Sequence, residues 1–167
     1  LNCLTTPKPA PRSADGHAWM QGQAAEILGL LGTVGNQGSE ANVLISLVLE
    51  TKLPFSTRCA AAEAMGKLNY TAFTPPNPSK VAAPFGKLAL DACNSELSGR
   101  RRFSRNHLKV CLTAASNGLK GVESLAIAAS DRQFVDGLKH AMGRLLHFYT
   151  DRKLDDNELE EELEDKN

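Results

Sequence analysis

Ser56-Thr57-Arg58-Cys59-Ala60-Ala61-Ala62-Glu63-Ala64-Met65-Gly66-Lys67-Leu68 is the stretch on which the reading of this chain turns. Its central string, Ala61 to Leu68, matches one found 37 residues earlier, Ala24-Ala25-Glu26-Ile27-Leu28-Gly29-Leu30-Leu31. Shorter echoes follow at Pro84-Phe85-Gly86-Lys87-Leu88 and Ala141-Met142-Gly143-Arg144-Leu145. Self-similarity at periods of roughly 20–50 residues marks stacked helical units, none of which can bury its apolar face alone. Gly29 and Gly66 share one position in the two clear copies. Inside a helix Gly costs about 1 kcal/mol against Ala, so glycine twice in one register implies a packing reason, such as the close approach of a neighbouring backbone.

Working outward, residues 1–15 read as a Pro-rich extended tail, because Pro7, Pro9 and Pro11 at alternate positions oppose helix. Helix is predicted from Asp15 as N-cap to Gly32, with Met20, Ala24, Ile27 and Leu31 on the inner face. A second helix starts at Ser39 or Glu40, presents Ala41, Leu44, Ile45 and Val48, and closes at Leu53-Pro54. Ser56 is the expected cap of the third helix, with Phe55 stapled onto Ala60 and with Ala61, Ala64, Met65 and Leu68 inward. Pro75, Pro76 and Pro78 predict a loop from Tyr70 to Pro78. A fourth helix capped by Ser79 follows, its inner face Val81, Phe85, Leu88 and Ala92, with Pro84 either kinking it or marking its first turn. The fifth, about Arg101 to Leu119, buries Leu108, Cys111, Leu112 and Ala115 and weakens at Asn117-Gly118 and Gly121. The clearest periodicity, Phe134, Leu138, Ala141, Leu145 and Phe148, predicts a last helix from Asp131 to about Thr150. Residues 16–150 thus form the helical domain, and 151–167 read as an acidic, solvated tail.

At 167 residues the chain has the length of one domain. Aromatics make up only 5%, which suits helices packed through small side chains better than a β-sandwich. No apolar run reaches the 18 or so residues of a membrane span. The chain opens at Leu1, which suggests a piece of a longer protein with any targeting segment upstream. Net charge is zero, yet residues 151–167 hold nine acids and three bases, so the rest is basic. Cys3, Cys59, Cys93 and Cys111 lack the close spacing of zinc ligands, and the last three read as buried, unpaired thiols.

Arg58 to Leu68 resembles the second helix of a HEAT repeat, of the short kind also found in phycobilisome (bilin) lyases, and Ala41 to Lys52 resembles that repeat's first helix and turn. The resemblance is good over residues 17–70, moderate over 131–148 and weak between them. It implies an all-α fold, a HEAT-like solenoid in which about six to seven antiparallel helices form a right-handed superhelix. It also implies an interaction scaffold with a protein partner and no cofactor. Enzymes share this fold, so function has to be argued from residues.

No GxSxG elbow, HExxH pair or phosphate-binding loop occurs, and His17, His107, His140 and His147 read as surface side chains. The one sharp local feature is basic: Arg100, Arg101, Arg102, Phe103, Arg105 and Lys109. Arginine forks bind carboxylate and phosphate, and Phe103 among them can stack on a base. Such a run also serves as a solvated helix start or pairs with the chain's own acidic tail. The leading reading is therefore non-enzymatic protein binding, with nucleic-acid binding through this run as the alternative and lyase or cofactor handling as a third reading by family analogy.

Overall fold

The computed structural model describes residues 2–70, 78–97, 105–125 and 129–164. Among them the regular structure is entirely helical: α1 (Asn2–Thr5), α2 (Ala14–Leu31), α3 (Ser39–Leu49), α4 (Phe55–Lys67), α5 (Pro78–Leu97), α6 (Arg105–Val122) and α7 (Ala129–Glu164). Short 3-10 turns occupy Asn36–Gly38 and Glu123–Leu125.

Local chemistry sets most ends, with some differences from the predicted ones. Ser13, not Asp15, caps α2; its Oγ accepts the Gly16 N–H at 3.0 Å, and Asp15 sits in the first turn, where the helix dipole favours it. Gly32 closes α2 at φ 67°, a left-handed conformation that costs glycine nothing. Pro54 precedes α4 directly, so Ser56 lies within the first turn and does not cap it. Pro78 opens α5, where its missing N–H is no loss. Ser79 donates instead to Asp131 Oδ1 of α7, at 2.9 Å. The helix continues through Pro84, which leaves the Lys80 carbonyl without its usual donor. The helix expected to end near Thr150 runs on to Glu164.

The glycines decide the packing. A Cβ built on Gly29 would lie 2.8 Å from Ala64 Cα, and one on Gly22 would lie 3.7 Å from Thr57 Cα. Both contacts advance by two turns together, so α2 and α4 run parallel and nearly backbone to backbone. On the opposite side of α4, a Cβ on Gly66 would lie 2.7 Å from Gly118 Cα of α6, and one on Gly121 would overlap the Gly66 carbonyl. Gly118 and Gly121 therefore do not weaken the end of α6. They let it approach α4. The result is a row, α2–α4–α6, along one side of which α1, α3, α5 and α7 follow one another.

This close packing explains where the predicted faces differ. Gly22, Ala25 and Gly29 of α2 are buried, while Ile27 and Leu31 remain 57% and 65% exposed. In α7, Val135 and Met142 are buried and Phe134 is 43% exposed, a shift of one residue along the predicted stripe. The expected inner faces of α5 and α6 are all buried, as are Ala61, Ala64, Met65 and Leu68. The start of the tail also differs. Before the prolines it forms α1, and Leu4 is buried with its carbonyl accepting from Gln21 Nε2 at 3.2 Å. Buried hydrogen bonds tie the helices further: Thr57 Oγ1 donates to Ala18 O at 3.0 Å, and Tyr70 OH to Met65 O at 2.9 Å.

Candidate functional site

The polar chemistry of the interior gathers where α3 ends and α4 begins. Arg58, on the first turn of α4, is only 2% exposed. Its Nε donates to the Val48 carbonyl at 2.7 Å, one of the last-turn acceptors that α3 cannot satisfy itself. Its Nη2 donates to Asp91 Oδ2 of α5 at 2.7 Å, and its guanidinium carbon lies 5.2 Å from the centre of the Phe55 ring. Lys87, one turn before Asp91, holds the other carboxylate oxygen. Burial of Asp91 favours its neutral form, but the hydrogen bonds from Lys87 and Arg58 outweigh that, and its pKa falls below the ordinary value. A buried guanidinium is tolerable only with such partners. The sequence singles out Arg58 only through its place at the head of the stretch that resembles a HEAT helix; Asp91, distant in the chain, carries no comparable signal.

Beside Arg58, Cys59 of α4 and Cys111 of α6 come together, with His107 against Cys111. Cys59 and Cys111 each lie two turns before the Gly66–Gly118 contact, so the parallel register of α4 and α6 sets them opposite each other. Both are buried and free; Cys93 of α5 is half-buried nearby. His107 Nδ1 is 3.9 Å from Cys111 Sγ, and its ring meets Phe55 edge to face, 5.4 Å between centroids. The hydrogen bond between the thiols, followed by burial, pushes Cys59 far above the usual thiol range. Accepting that same bond lowers Cys111 despite its burial, and Arg58 lowers it further. Among the described residues, no group of three or more His, Cys, Asp or Glu side chains is arranged to hold a metal ion.

Of the basic residues singled out in the sequence, Arg100, Arg101, Arg102 and Phe103 lie outside the described residues. Arg105 opens α6, and Lys109 is exposed on it. His140 and His147 are exposed on α7 beside a shallow groove, as expected for surface side chains. His17, in contrast, is buried, with Nδ1 3.3 Å from an Arg12 guanidinium nitrogen. His107 is half-buried in the thiol cluster.

A surface missed by the sequence reading lies on α2. Trp19, Ile27, Leu30 and Leu31 are 67%, 57%, 79% and 65% exposed. No helix among the described residues is long and apolar enough to cross a membrane. The chain matches no protein-family model, no curated protein and no solved structure.

Proposed function

We propose that the chain is a HEAT-like helical scaffold, without catalytic activity of its own, that binds a protein partner. The observation that carries this reading is the outer side of α2. Four large apolar side chains there are more than half exposed on one helix, and monomeric soluble proteins rarely leave a contiguous apolar patch above a few hundred Å² (order of magnitude) in water. Ile27, Leu30 and Leu31 lie together at i, i+3, i+4 spacing, exposed Gln23 and Glu26 stand between them and Trp19, and the helix carries neither Lys nor Arg. Two features support the HEAT-like architecture: the repeated Ala-Ala-Glu-x-x-Gly-x-Leu string, and the parallel packing in which Gly29 of the first copy lies against Ala64 of the second.

The test is affinity capture with the full chain and with a Trp19→Ser/Leu30→Ser variant, the retained proteins being compared quantitatively. A protein held by the parent chain and lost by the variant at equal helicity supports the reading. Identical retained sets would refute it. Binding to duplex or single-stranded nucleic acid that falls steeply with salt, and is lost when Arg100 to Arg102 become Gln, would favour the nucleic-acid alternative.

A further inference from the structure

We propose that Cys59 and Cys111 are a redox-active thiol pair that closes into a disulfide between α4 and α6 when a hydroperoxide oxidises it. Two features of the packing lead there. First, the register that places a Gly66 Cβ 2.7 Å from Gly118 Cα carries back two turns in both helices to Cys59 and Cys111. A disulfide needs Cα atoms about 4.4–6.8 Å apart with converging Cβ atoms. Ordinary helix pairs, at interaxial distances of about 8–10 Å, rarely satisfy that, whereas α4 and α6 meet at glycine backbone. Second, Cys111 has an imidazole nitrogen 3.9 Å from its sulfur, within reach of a hydrogen bond, and the positive charge of Arg58 favours its thiolate. The same imidazole contact, made to Cys111 and not to Cys59, marks Cys111 as the attacking sulfur and leaves Cys59 as the resolving one.

The chemistry balances without another co-reactant. The Cys111 sulfur attacks one peroxide oxygen; the S–O bond forms, the O–O bond breaks, and the departing hydroxide takes up the proton released by Cys111 and leaves as water. The Cys59 sulfur then displaces the hydroxyl group from Cys111; the S–S bond forms, the S–O bond breaks, and the Cys59 proton leaves in a second water. Both thiols are oxidised by one electron each, and the peroxide is reduced.

The test uses the full chain, reduced and then exposed to hydrogen peroxide, with the native state monitored by circular dichroism. Peptide mapping is expected to find a Cys59–Cys111 cross-link that dithiothreitol removes, and the oxidised chain to unfold at higher denaturant than the reduced one. Cys93→Ser is expected to leave the cross-link intact. Cys59→Ser or Cys59→Ala is expected to abolish it and leave a Cys111 sulfenic acid that dimedone captures. Failure of the native chain to form the cross-link, or cross-linking through Cys93 or Cys3 in its place, would overturn the proposal. So would dimedone capture on Cys59 in a Cys111→Ser variant at the rate seen for Cys111, since the two sulfurs would then have no distinct roles.

Discussion

Gly66→Ala and Gly137→Ala are the same chemical change in two long helices, and the structure gives them opposite signs. At Gly137 of α7 an added methyl meets nothing within 4 Å. It should contribute only the helix preference of Ala over Gly and stabilise by about 1 kcal/mol. At Gly66 the same methyl would sit 2.7 Å from Gly118 Cα, 3.0 Å from Asn117 O and 3.1 Å from Gly118 O. Carbon atoms in comfortable contact are about 3.5–4.0 Å apart, so α4 and α6 must separate by close to 1 Å. None of the three obstacles is a side chain that could rotate away. Overpacking of this kind costs about 1–3 kcal/mol, and a backbone obstacle argues for the upper end. After subtracting the gain in propensity, Gly66→Ala should destabilise by about 2 kcal/mol, and the two variants should differ by about 3 kcal/mol. For a chain of this size each kcal/mol shifts the melting temperature by about 2–4 °C, so the separation is well resolved. Urea unfolding followed by circular dichroism at constant slope measures it directly. If Gly66→Ala proves as stabilising as Gly137→Ala, α4 and α6 are not in backbone contact and the parallel register is wrong.

The Arg58–Asp91 pair should behave as a buried ion pair: Asp91→Ala leaves the guanidinium uncompensated and should cost about 3–5 kcal/mol, whereas Arg58→Met with Asp91→Leu should cost less than the single change. Urea titrations of the three proteins make that comparison. Because the folded pKa of Asp91 lies below its unfolded value near 3.9, its contribution is complete above that value and is lost as pH falls through the folded pKa. Acid unfolding of Asp91→Asn should accordingly lack part of the pH dependence of the parent chain. Thr57→Val keeps the shape but removes the bond to Ala18 O, and should lower stability by about 1 kcal/mol in the same assay.

The candidate site shows how unevenly a chain reports its own structure. Arg58 stands out because it opens the helix that carries the repeated string, and Cys59 and Cys111 are legible as buried thiols, whereas Cys93, expected to be buried as well, is only half-buried. That Cys59 meets Cys111, or Arg58 meets Asp91, is not legible, since neither spacing follows a helical or metal-ligand period and both pairs are made by packing. Ile27 and Leu31 illustrate the converse: apolar residues at helical spacing read as core, yet α2 turns its glycines inward and leaves them in solvent.

Some properties were settled by local physics alone. The helices begin and end near Ser39, Pro54, Gly32 and Pro78 because capping, left-handed glycine and proline geometry act within a few residues. The inner stripes of α5 and α6 follow directly from their 3.6-residue period, because one side of each helix is apolar enough to leave no alternative. Which helices touch, and on which side of α2, α4 and α7, depended on tertiary structure. In those helices small residues replace large ones at the contact, hydrophobic periodicity no longer identifies the interface, and the shape of a neighbouring backbone decides. Ser56 to Leu68 therefore announces a helix and its repetition, while Gly66 acquires its meaning only when Gly118 lies against it.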